Sequence, residues 1–208
     1  NLLKWSGVER KKAIFYGGFL GSIYQNTIEV MDGYSSEWGF SMGDFTANTL
    51  GSFLVIGQEL AWNAQRISLK YSYMPSIYAP YRPDELGHNW KENWLKDYNG
   101  QTYWLSVNVA SFLGSSTRFP RWLNVAVGYG SDGMTGGKFN PPYIDADGNQ
   151  IYFERIRQFY LSLDADLSRI PTHNKFLKTV FNTIGFLKLP APSVEFNKYG
   201  AKGWLWGL

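Results

Sequence analysis

Residues 27–66 read T-I-E-V-M-D-G-Y-S-S-E-W-G-F-S-M-G-D-F-T-A-N-T-L-G-S-F-L-V-I-G-Q-E-L-A-W-N-A-Q-R. Within them, Ser41-Met42-Gly43-Asp44 has the Ser/Thr-x-x-acid form of a helix start. Ser41 is the expected N-cap, and Asp44 sits near the positive end of the helix dipole. Phe45 to Gln58 then carries no formal charge. At about 100° per residue, Asp44, Asn48, Gly51 and Gln58 share one narrow stripe. Phe45, Leu50, Phe53, Leu54 and Ile56 cover much of the remaining surface.

The segment just before has the same design. Ala13 to Ile28 is uncharged. Gly18, Gly21, Ser22, Gln25, Glu29 and Asp32 fall within roughly 100° of helix circumference. Ile14, Phe15, Phe19, Leu20, Ile23, Val30 and Met31 fill the rest. A surface helix of a soluble protein has the opposite proportions. The pattern predicts a helical hairpin over residues 1–66, with small-and-polar stripes facing each other and apolar sides against lipid or protein. Gly18 and Gly21 are expected at the contact, facing Gly51. Glu29, Asp32, Asp44 and Asn48 are expected to form an acidic polar seam. Facing buried carboxylates repel, so such a seam would share a proton or a cation, or capture a polar head group. The plainer reading is a hydrogen-bonded seam that sets the register of two helices.

Glu29 followed by Asp44-x-x-x-Asn48-x-x-Gly51 after a Gly-Phe-Ser turn resembles the second half of a VanZ-like motif. It resembles more closely the YfiM-like family of periplasmic or outer-membrane lipoproteins, a family of unknown function. The long Bacteroidetes-type form is similar through most of the chain. That similarity includes K-D-Y-N-G-Q-T-Y-W-L-S-V-N at 96–108 and R-Q-F-Y-L-S-L-D at 157–164. The resemblance implies a cell-envelope compartment, at the outer membrane or its periplasmic face. The family pattern also has an upstream Asp-Lys-x-x-His helix. This sequence, which opens on Asn1, does not contain it, so a site that needs that pair is incomplete here.

Composition narrows the classes. The chain has 208 residues, enough for one domain or two small ones. It has no cysteine, hence no disulfide framework and no thiolate metal site. Its net charge of +3 comes from scattered Lys and Arg, which argues against a nucleic-acid partner. Aromatic residues make up 18%, with nine Trp and fourteen Tyr, a load that suits a large core or the girdles of a membrane protein. No strictly apolar run of 18 residues marks a simple membrane helix. The Arg10-Lys11-Lys12 cluster opposes the dipole of the first helix and is a candidate contact for lipid phosphates.

From residue 67 the period changes to two. Ile67–Tyr73 alternates as a short strand. Residues 74–100, broken by Pro75, Pro80 and Pro83, read as a long ordered loop with a helical turn at 89–96. Alternation resumes from Thr102, from Leu123, between about Phe153 and Ser168, and around Val194. Residues 174–188 read as an amphipathic helix flanked by Lys175, Lys178 and Lys188, fit for a membrane interface or for packing on the sheet. Residues 67–208 are therefore expected to be an antiparallel β region. Either a soluble sheet with one wet face or a set of outer-membrane strands gives this alternation, and the aromatic load favours the second. Five strands fall short of the roughly eight needed to close a single-chain barrel. The polar face then needs a cover: the hairpin, a partner chain or further sequence.

The remaining signals are weak. His88 and His173 stand alone, and no zinc spacing exists. Asp145-Ala146-Asp147-Gly148-Asn149 misses the spacing of a calcium loop and reads better as a hairpin turn between Ile144 and Ile151. The expected class is α+β: a membrane-associated helical hairpin followed by antiparallel strands of outer-membrane character. The expected role is that of a non-catalytic envelope protein, a subunit of a larger complex in envelope assembly or maintenance. It would have no cofactor and no metal; its partners would be outer-membrane lipid and other envelope subunits. Two other readings stand beside it, a lipid or glycolipid enzyme or binder using the seam, and a soluble periplasmic binding module.

Overall fold

The computed structural model describes residues 3, 6–32, 34, 41–113, 118–137, 139–145 and 147–207. It divides into two units, Asn1–Arg66 and Ile67–Leu208. The architecture is α+β: two long helices in the first unit and a six-stranded antiparallel sheet in the second.

The first unit is a hairpin of α1 (Arg10–Asp32) and α2 (Met42–Trp62). Ser41 caps α2 as expected, its Oγ accepting from the amide of Asp44 at 3.2 Å. At the other end, Asn63 adopts φ 54°, the left-handed C-cap conformation that Asn tolerates. Arg10 at the start of α1 donates to the Glu59 carbonyl at 2.9 Å and to Asn63 Oδ1 at 3.2 Å. A cation that is unfavourable at its own helix start thus neutralises the negative end of the antiparallel neighbour. The apolar flanks face outward: Tyr16, Leu20, Ile23, Tyr24 and Met31 on α1, and Leu50, Phe53 and Leu60 on α2, are all exposed. Among the described residues, no helix is long and apolar enough to cross a membrane.

Among the described residues, the second unit has eight strands: β1 (Ile67–Tyr73), β2 (Gln101–Val107), β3 (Leu123–Asp132), β4 (Tyr143–Ile144), β5 (Gln150–Ile151), β6 (Ile156–Ala165), β7 (Ala191–Asn197) and β8 (Gly200–Gly207). Six of them form an up-and-down meander in the order β1-β2-β3-β6-β7-β8. β4 and β5 form a separate small hairpin, whose turn uses Gly148 at φ 84°. That is the turn predicted from Asp-Gly. The loop at 74–100 is ordered by a 3₁₀ turn, by α3 (Pro83–Leu86) and by α4 (Trp90–Lys96), capped by Asn89.

Two expectations are corrected. A sixth strand, β8, completes the sheet; G-A-K-G-W-L-W-G does not alternate, so periodicity could not find it. The helix expected at 174–188 stops earlier, as α5 (Lys175–Ile184). Beyond it the chain lies along the outer edge of β1: Tyr71 N donates to the Phe186 carbonyl at 2.8 Å, and Lys188 N to the Tyr71 carbonyl at 2.9 Å. Lys188 is therefore buried rather than flanking a helix.

This last contact means that the sheet is curled. Four residue steps lead from Leu187 on the β1 edge to Ala191 at the start of β7. They reach at most about 14 Å, whereas β1 and β7 would lie about 19 Å apart on a flat sheet. Lys70 of β1 also pairs directly with Asp164 of β6, three strands away in order. The face carrying Lys70 is therefore concave.

Candidate functional site

Register decides what each face of the sheet carries. On the concave face one row is Lys70, Trp104, Gly128, Tyr160, Glu195 and Lys202. The next is Ser68, Ser106, Ala126, Ser162, Ser193 and Trp204. On the convex face one row is aromatic on five of the six strands, Tyr71, Tyr103, Tyr129, Phe159 and Phe196, and ends on Ala201. Two aliphatic rows follow, Leu69-Leu105-Val127-Leu161-Val194 and Ile67-Val107-Val125-Leu163. Four of the five aromatic rings are 45–57% exposed. Apart from Lys202 on β8, which is exposed, polar side chains are thus largely enclosed and apolar ones shown to the surroundings.

The enclosed side is held by a connected polar network. Lys70 Nζ lies 2.7 Å from Asp164 Oδ2, both side chains almost fully buried, and also donates to the Ala165 carbonyl at 2.8 Å. Ser106 Oγ donates to the same carboxylate at 2.6 Å, Asn124 to Ser106 at 2.8 Å, and Asn108 to Asn124 at 2.6 Å. Trp104 donates to Ser72 Oγ at 2.8 Å and lies under Lys188 Nζ, 4.4 Å from the ring centroid. Burial pushes Lys188 down to about 8; Asp164 opposes this shift and Lys70 adds to it. Gly128 makes room for the indole, since a Cβ there would lie 2.7 Å from Trp104 Cε3. Sequence pattern alone predicted a polar face but not this network, because its partners come from strands far apart in the chain.

At one end of the concave face the polar rows open into a cavity of about 330 Å³. Tyr78, Asp132, Tyr160, Glu195, Trp204 and Trp206 are among its walls. Tyr78 donates to Asp132 Oδ2 at 3.2 Å. Burial first, then Asp132, push the Tyr78 hydroxyl up to about 12, so it stays a donor at neutral pH.

The acidic seam expected in the hairpin is assembled differently. Glu29 is buried, and its Oε1 accepts from the backbone amide of Ser41, the N-cap of α2. Asp44 is exposed and Asn48 half-buried. Among the described residues, no hydrogen bond joins Glu29 to either. Asp32 closes α1, and its side chain lies outside the described residues. Asn26 instead makes a polar contact between the helices, donating to Thr49 Oγ1 at 3.3 Å, and also donates to Ser22 Oγ of its own helix at 3.2 Å. Gly18 lies at the contact, a Cβ there falling 2.3 Å from Ile56 Cγ1. Gly21 and Gly51 do not: a Cβ on either meets nothing within 4 Å. The pairing is offset from the expected one, with Ile56 rather than Gly51 opposite Gly18. Among the described residues, no group of three or more His, Cys, Asp or Glu is arranged to hold a metal ion.

Comparisons with protein-family models, with curated proteins and with solved structures return no match.

Proposed function

We propose that the chain is a non-catalytic protein of the cell envelope, seated at the outer membrane as one subunit of a larger assembly that builds or maintains the envelope. The observation that supports this reading is the convex face of the sheet, an aromatic row bordering two aliphatic rows over a polar interior. A water-facing antiparallel sheet distributes its residues the other way. Aromatic rows beside an aliphatic band are what a lipid interface selects. From Tyr71 to Ile67 the band covers four residue steps, about 13 Å at the usual strand rise. That is about half the ~30 Å of a hydrocarbon core. Six strands are also fewer than the roughly eight of the smallest single-chain spanning barrels. The fitting placement is therefore insertion into one leaflet. The exposed apolar flanks of the hairpin favour the same surroundings, and the YfiM-like resemblance points to the same compartment. The subunit reading leans on β8, a terminal strand of the sheet paired only with β7 among the described residues.

The test is quenching of tryptophan fluorescence by vesicles with brominated acyl chains, together with flotation in high salt. Quenching and salt-resistant flotation are expected. Release by salt alone, or no quenching, sinks the membrane reading. Detergent extraction that yields a stoichiometric partner supports the subunit reading; a monodisperse monomer from native membranes counts against it.

A further inference from the structure

The geometry points to a binding site for an organic ammonium group in the cavity between Tyr78, Asp132, Tyr160, Glu195, Trp204 and Trp206. Glu195 is only 4% exposed. Its oxygens accept from Gln158 at 2.8 Å, Asn197 at 2.8 Å and Trp204 Nε1 at 3.0 Å, three neutral donors. Asp97, fully buried behind the wall, accepts from the Ser76 amide at 3.2 Å and from Asn99 at 3.2 Å. Asp132 accepts from Tyr78. Among the described residues, none of these three carboxylates has a Lys, Arg or His within ion-pair distance, and no basic residue lines the cavity.

The same concave face handles its other buried acid differently, giving Asp164 the Lys70 ammonium at 2.7 Å. A buried carboxylate without a counter-charge is costly. At the cavity end, Lys202 stands opposite Glu195 and lies over the Trp204 ring, 3.9 Å from its centroid, whereas Asp132, among the described residues, has no such neighbour, and the positive charge it lacks comes from outside the chain. Its chemistry follows from the walls. A hard metal ion asks for six or more oxygen ligands, and these acids are not grouped for one. One face of Trp204 is already taken by Lys202; the Trp206 indole and two phenols remain, and such rings attract a weakly hydrated cation such as an alkylammonium. The volume is at the lower end for small-molecule sites, enough for a head group of a few carbons. Two sources carry that chemistry, a free amine and the head group of a choline or ethanolamine lipid. The inference stands on the cavity alone and does not require the membrane reading.

The experiment uses the full chain in detergent and choline as probe. 3,3-Dimethylbutan-1-ol, an uncharged molecule of the same shape, serves as control. Choline is expected to change tryptophan fluorescence saturably and to raise the melting temperature, and the alcohol to do neither. Asp132→Asn is expected to weaken choline binding about ten-fold, and Trp206→Leu several-fold by melting shift, the scale of one desolvated cation contact. Glu195→Gln should abolish binding; if that variant does not fold, the other two decide. Equal response to the alcohol, no saturable response to choline, or unchanged affinity in both Asp132→Asn and Trp206→Leu would overturn the proposal. Competition separates the sources. Loss of the choline response in phosphatidylcholine but not phosphatidylglycerol vesicles assigns the site to a lipid head group. Its persistence in both assigns it to a free amine.

Discussion

The hairpin and the sheet both hide polar groups and show apolar ones, but they hold the hidden groups in different ways. In the hairpin the buried acid, Glu29, ends on a backbone amide, and midway along the helices an amide-to-hydroxyl bond from Asn26 to Thr49 joins them beside the apolar contacts. In the sheet, Asp164 anchors a chain of side chains drawn from β1, β2, β3 and β6. The difference teaches that the hairpin has a local seam, whereas the sheet depends on one long-range ion pair. Breaking that pair gives the largest expected effect. Lys70→Met leaves Asp164 buried and unpaired, and should cost about 3–5 kcal/mol in chemical denaturation. Lys70→Met with Asp164→Leu should recover much of the loss, since an apolar pair leaves no orphan charge. If the single variant is as stable as the parent, the two regions do not differ as described.

The second test stays within the hairpin and sharpens its contact. Gly18→Leu should cost about 1–3 kcal/mol, because Ile56 already occupies the space a Cβ would need. Gly21→Leu, facing open space, should change the melting transition by no more than about 0.5 kcal/mol. Equal losses would mean that Gly21 lies at the contact after all. The smallest effect is expected at Asp44. Its carboxylate is exposed, and Ser41 rather than Asp44 supplies the cap. Asp44→Asn should therefore cost only about 0.3–0.5 kcal/mol of dipole interaction, with the envelope phenotype of a deletion strain still complemented. Loss of complementation with the fold intact would restore Asp44 as a site residue.

These residues also mark how far the sequence could be read. In strands a side chain has only two choices of face, so Tyr103, Val127 and Leu161 fall on one side by alternation alone. The polar and apolar faces of the sheet are therefore legible in the order of the residues. Helices turn by about 100° per residue, so a stripe fixes which side faces inward but not which residue stands opposite. Glu29 lies on the inner side as its stripe implies, but a small offset along α2 brings Ser41 to it instead of Asp44. Gly18 and Gly21 share a stripe, yet only one meets Ile56. The cavity was hidden for another reason. Tyr78, Asp132, Glu195 and Trp206 come from a loop and three strands, and no local pattern joins them. β8 was invisible because its glycines erase the alternation that betrays a strand.

The strip at 186–188 that seals β1 sets a sequence of events in synthesis. Until the chain has been made through Lys188, the first strand of the sheet has an open edge, although β2 is already available to pair on its other side. Closing so distant a contact is slow relative to local pairing. During that interval the nascent sheet exposes both an apolar face and a bare edge, the combination most prone to sticking to other chains. A chaperone that recognises extended apolar strands would have its longest opportunity there, and the window closes only when the last third of the protein folds back on the beginning of the sheet.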